Sequence, residues 1–90
     1  MLSPGYLTFQ EVCLEIDEGR PVCAGIKWKS GGAHSVVIKG YRTLSSGAQQ
    51  VYVADPLNPS SLVDYVEFVN AYHSDGEWVE TDLVQNDWER

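Results

Sequence analysis

Apolar residues recur in this chain with two different periods, and the change of period divides it into elements. Phe9, Val12, Cys13 and Ile16 fall at i, i+3, i+4 and i+7, one stripe of a helix that faces a core. Thr8 and Glu11 form a capping box at its start, and Gly19 supplies a left-handed stop. From Pro21 the period falls to two. Val22, Ala24, Ile26 and Trp28 share one face of a strand, Val36 and Ile38 follow His34 along a second, and Val51 and Val53 lead to Asp55 along a third. Lys29-Ser30-Gly31-Gly32-Ala33 turns the first strand back into the second, a pairing that sets Trp28 near His34 and Cys23 near Lys39. Ser45-Ser46-Gly47-Ala48, small and polar, joins the second strand to the third as a loose hairpin.

Outside this centre the pattern is less decided. Met1 to Leu7 reads as a turn-rich lead-in, and Pro56 to Ser61 as a loop with two prolines. Residues 62–72 mix β-branched and aromatic residues with helical spacing, which predicts a short strand at about 62–64 running into a short helix. His73-Ser74-Asp75-Gly76 is a turn, with His73 solvated. Glu77 to Val84 alternates as a final strand, and Gln85 to Arg90 is a polar tail carrying Trp88. No repeat or linker interrupts the chain. The expectation is a single domain over residues 1–90 with an ordered core at 8–84, of class α+β: an N-terminal helix packed on a small antiparallel sheet.

Composition narrows the function. A 90-residue chain supports one modest core, and no apolar run is long enough to span a membrane. No basic-then-apolar start suggests a signal peptide, so a soluble chain without a membrane partner is expected. The formal charge of -7 argues against nucleic acid, the more so because eight acidic residues and only Arg90 as a base follow from Asp64 onward. Lys27, Lys29, Lys39 and Arg42 fit a solvated outer sheet face. The compartment is not readable from two cysteines.

One pair of polar residues breaks the strand pattern. His34 opens its strand and Asp55 closes the next, so antiparallel pairing brings them to one end of the sheet, and counting by twos puts both on the apolar face. A carboxylate there can accept from one imidazole nitrogen, fix the tautomer and leave the other nitrogen for a nucleophile. The bland alternative is a satisfied core histidine beside an ordinary Asp-Pro turn. Neither cysteine serves this pair. Cys13 belongs to the core stripe of the helix, and Cys23 points to the opposite sheet face, at about 3.3 Å per residue on the order of 15 Å away. A Cys13-Cys23 disulfide conflicts with those two facings. No CxxC or HxxxH spacing supports a metal site, and no cofactor motif is present.

Taken together, the helix ending Glu18-Gly19-Arg20-Pro21-Val22, the segment Gly32-Ala33-His34-Ser35-Val36-Val37-Ile38-Lys39-Gly40-Tyr41, the strand Val51-Tyr52-Val53-Ala54-Asp55-Pro56 and the late Gly76-Glu77-Trp78-Val79-Glu80-Thr81 resemble the C-terminal half of papain-like cysteine proteases. The nearest groups are bacterial effector proteases of that fold and the peptidase domains that trim bacteriocin leader peptides. The resemblance covers about residues 8–84. It implies the β-rich half of a papain-like fold, with His34 as the base and Asp55 as the residue orienting it. In the family the nucleophilic cysteine starts a helix well upstream, preceded by an oxyanion-site glutamine, and neither has a match here. The implied function is the base-bearing half of a cysteine peptidase, inactive alone, acting on a peptide or protein substrate when completed by a cysteine-bearing half. An apolar face left bare, with Trp28 and His34 at its rim, would favour a homo-oligomer or strand exchange. Two other readings stay open: a non-enzymatic module binding a peptide or protein on a protease-like sheet, and a small acidic inhibitor or structural domain.

Overall fold

The computed structural model describes residues 2–83, and side chains from Gly5 onward. Eight elements follow in chain order: β1 (Leu2–Pro4), α1 (Phe9–Asp17), β2 (Val22–Trp28), β3 (Ala33–Thr43), β4 (Gln49–Asp55), β5 (Asn58–Asp64), α2 (Tyr65–Ala71) and β6 (Gly76–Leu83). The strands form one antiparallel sheet in the order β1-β6-β2-β3-β4-β5. Both helices lie on one face of it, α1 over β2 and β3, α2 over β4, β5 and β6. This is the expected α+β arrangement of an N-terminal helix on an antiparallel sheet.

A nine-residue helix is too short to persist alone, so α1 depends on its cap and its apolar stripe. The Thr8 hydroxyl accepts from the Glu11 amide at 3.1 Å, and the Thr8 amide donates to Glu11 Oε1 at 2.8 Å. Phe9 and Val12 are buried, Cys13 and Ile16 pack beside them, and Gly19 leaves the helix at φ 80°. Together with Val22, Ala24, Ile26, Val36, Ile38, Val51, Val53, Phe68, Val69, Tyr72 and Trp78 they build the core.

Two bulges decide which side chains enter that core. In β3 the pairing slips between Ile38 and Gly40, so Val36 and Ile38 point inward and Tyr41 also turns to the helix side, where its hydroxyl donates to Asp17 Oδ1 at 2.7 Å. In β6 the slip lies opposite Gly25/Ile26, so Trp78 and Thr81 are both buried. The Trp78 indole donates to Thr81 Oγ1, which donates on to the Gly5 carbonyl, each at 2.9 Å.

Four expectations are corrected. The lead-in holds a strand, β1, paired with β6 through Leu2↔Asp82, Ser3↔Thr81 and Pro4↔Glu80; an edge strand tolerates proline because it need donate on one side only. The same tolerance accounts for β5, which begins at Asn58 and runs through Pro59, where a loop was expected to Ser61. The β2–β3 turn is tighter than five residues: Gly31 and Gly32 at φ 116° and 90° let the Trp28 amide reach the Gly32 carbonyl at 3.0 Å. Register therefore moves by two, His34 facing Ile26 and Cys23 facing Val37 instead of Lys39; a shift of two keeps every side chain on its face. Finally, the apolar face is covered by the helices. Among the described residues nothing covers the other face, where Cys23, Val37, Ala54 and Pro56 line a shallow furrow of about 420 Å³. The tail from Gln85, and Val84 at the end of the expected core, lie outside the described residues.

Candidate functional site

The end of the sheet where β3 begins and β4 finishes gathers His34, Asp55, Trp28 and Tyr72. His34 reaches it as the inward residue preceding Val36, and Asp55 as the inward residue following Val53. His34 Nε2 lies 2.8 Å from Asp55 Oδ1, with side chains only 9% and 1% exposed. Water screens a contact this deep weakly, so it fixes the ring far better than a surface ion pair does.

Asp55 accepts from every direction. Its Oδ1 also takes the Leu57 amide at 2.8 Å, the two-residue bond by which an Asp starts a turn, and its Oδ2 takes the Tyr72 hydroxyl at 2.6 Å and the Asn58 amide nitrogen at 3.2 Å. Burial by itself pushes a carboxyl upward. Here the hydrogen bonds outweigh it, Tyr72 first, then Leu57, His34 and Asn58, and hold Asp55 well below the usual carboxylate range. Asp55 is thus an anion wherever the fold exists near neutrality. Tyr72 responds in the opposite sense: burial, then its bond to Asp55, drives its hydroxyl far above the ordinary phenol range, so it remains a donor.

Trp28 closes the site. Its ring stacks on His34 with centroids 5.6 Å apart and planes 23° from parallel, and on Tyr72 at 6.2 Å and 17°. The hairpin that carries it is tied to the turn after α2, where the Lys29 backbone N–H donates to the Asp75 carbonyl at 2.8 Å and the Ser30 hydroxyl to Asp75 Oδ2 at 2.6 Å. His73 and Ser74 in that turn hold φ of 48° and 67°, and His73 is exposed, as its turn position implied.

With Nε2 engaged, the imidazole keeps Nδ1 for other chemistry, and no hydrogen bond occupies it among the described residues. Neither cysteine is near. Cys23 lies beside Val37, three residues along from His34 and on the outer face, about 10 Å at strand rise, closer than expected but still turned away. Cys13 sits on α1 next to Tyr41, seven residues from His34 along β3, on the order of 20 Å. Burial, followed by the charge of Asp17, raises its pKa and disfavours the thiolate. Both cysteines are free thiols. Among the described residues no group of three His, Cys, Asp or Glu side chains converges as metal ligands.

Sequence reasoning placed His34, Asp55 and Trp28 here and missed Tyr72 and Asn58. Asn58 carried a signal, since Asp-Pro-x-Asn is a turn in which the Asp oxygens face the following amides. Tyr72 carried none of comparable strength, because it lies in the stretch whose period was ambiguous.

The sequence profile of the Peptidase_C39 like family matches residues 3–81. No curated protein and no solved structure matches the chain. The profile covers most of the chain, which belongs to that family, and its α+β fold is consistent with the C-terminal half of a papain-like cysteine protease-related domain.

Proposed function

We propose, with that family as the premise, that the chain is the base-bearing half of a papain-like cysteine peptidase, His34 serving as general base and Asp55 holding its ring. The observation that carries this reading is the 2.8 Å contact between His34 Nε2 and Asp55 Oδ1 in a buried setting. An Nε2–H donated to a permanent carboxylate leaves Nδ1 as the basic nitrogen. A cysteine thiol presented there would pass its proton to Nδ1, and the thiolate would attack the peptide carbonyl. As the C–N bond breaks, His34 returns the proton to the departing amine, and water then releases the acyl group from sulfur. The resemblance puts that cysteine on an upstream helix, which agrees with the remoteness of Cys13 and Cys23. The described chain is therefore not expected to cleave peptides by itself, because members of such a triad act as a unit.

The test is to join or mix the chain with a cysteine-bearing N-terminal half of the same family and assay thiol-dependent peptide hydrolysis. Activity that falls to background in His34→Ala supports the reading; activity indifferent to that change sinks it. The furrow at Cys23, Val37 and Ala54 favours a second reading, a module that binds a peptide or protein on its outer face. On that reading His34→Ala and Asp55→Asn leave binding intact.

A further inference from the structure

We infer that Tyr72 is a positioning residue for the His34–Asp55 pair: its hydroxyl, helped by the Asn58 amide, occupies Asp55 Oδ2, shares the carboxylate's charge and thereby sets how firmly His34 holds a proton. The inference rests on the reading of His34 as the base and deepens it.

An ionised carboxylate offers about four lone-pair sites, and Asp55 uses them two to each oxygen. His34 and the Leu57 amide take Oδ1, while Tyr72 and Asn58 take Oδ2. The bond from Tyr72 is the shortest of the four, at 2.6 Å. Charge drawn toward a short O–H donor on one oxygen is charge withheld from the imidazole on the other.

The tyrosine is held so that its hydroxyl cannot drift from this role. Its backbone N–H donates to the Gly76 carbonyl and its own carbonyl accepts from the Gly76 N–H, both at 2.8 Å. Its ring is 2% exposed and lies between Phe68, edge-on at 5.1 Å, and Trp28, stacked at 6.2 Å. A phenylalanine would fill the same space. The hydroxyl is therefore separable from the packing, and it points at the carboxylate that is hydrogen-bonded to the histidine.

Among the described residues few other charges bear on the ring. Asp75 is engaged with Ser30, His73 packs edge-on against Tyr72 at 4.5 Å and is solvated, and Lys27 is exposed on the far side of β2. Asp55 is the only carboxylate hydrogen-bonded to His34 among the described residues.

The experiment is an NMR pH titration of the His34 ring in the 90-residue chain and in three variants, with thermal unfolding as the check on folding. Tyr72→Phe returns charge to Asp55 and raises the His34 midpoint by about half a unit, roughly threefold in proton affinity. Asn58→Ala, at an exposed position and a longer bond, moves it the same way by less. Asp55→Asn moves it down. A midpoint unmoved or lowered in folded Tyr72→Phe overturns the inference, because a hydroxyl that only satisfies a buried carboxylate alters stability and leaves His34 alone. If Tyr72→Phe does not fold, an unmoved midpoint in Asn58→Ala overturns it equally. The titration needs no nucleophile, so failure of the peptidase reading and failure of this inference show up in different experiments.

Discussion

Gly76→Ala tests whether the stack that covers His34 is as tightly built as described. Gly76 faces Trp28 across the β2–β6 ladder. A methyl group there would fall 2.6 Å from Ile26 Cγ2, 2.8 Å from Trp28 Cζ3 and 3.0 Å from Trp28 Cε3. None of these atoms is a free chain end. Ile26 is 1% exposed, and the Trp28 ring is braced on its faces by His34 and Tyr72. Overpacking of this kind costs about 1–3 kcal/mol. Replacing glycine also restricts the unfolded chain, which offsets about 0.4–1 kcal/mol and leaves a net loss of about 1–2 kcal/mol. For a domain of this size that lowers Tm by about 5–15 °C. Far-UV circular dichroism melts measure it, and the His34 ring resonances report whether Trp28 has moved. Gly40→Ala is the control, since its methyl would meet Tyr52 Cβ at an ordinary 3.4 Å; its Tm should stay within about 3 °C of wild type. A Gly76→Ala protein as stable as wild type would refute the packing argument.

Asp55 and the cysteines give two further predictions. Because the folded Asp55 carboxyl sits well below its unfolded value of about 3.9, its bonds stabilise the fold fully above that pH and are lost as pH falls below it toward the folded value. Urea midpoints at pH 6 and pH 3 should fall less between the two in Asp55→Asn than in wild type, from a lower start; an equal fall would contradict the assignment. Alkylation followed by peptide mapping at about pH 8 should find Cys13 reacting more slowly than Cys23, since burial and Asp17 disfavour its thiolate while Cys23 borders the open furrow. The reverse order would contradict the placement of α1.

Much of this was legible because period and parity survive small errors. His34 and Asp55 share a face because each lies an even number of residues from the paired Ile38 and Val53, and neither the two-residue shift in the β2–β3 turn nor the bulge beyond Ile38 disturbs that pairing. The α1 cap was legible because its chemistry lies within four residues, Thr8 to Glu11. What escaped depended on partners far along the chain. β1 and the first half of β5 are edge strands whose prolines imitate turns, and only pairing with β6 and β4 makes them strands. Tyr72 reaches Asp55 across 17 residues of sequence, and it is anchored by the turn that follows it, where His73 and Ser74 take left-handed backbone angles. The bulge that turns both Trp78 and Thr81 inward was hidden because β6 alternates nearly perfectly on paper.

The central claim is that Asp55 fixes the tautomer of His34 and leaves Nδ1 free for a thiol. The most direct measurement is the ¹⁵N spectrum of the imidazole in the intact chain, recorded at a pH where His34 is neutral. The account predicts a proton on Nε2 and a bare Nδ1, with that preference lost in Asp55→Asn. A proton found on Nδ1 in the wild-type chain would contradict it, for the basic nitrogen would then face the carboxylate and no thiol could use it.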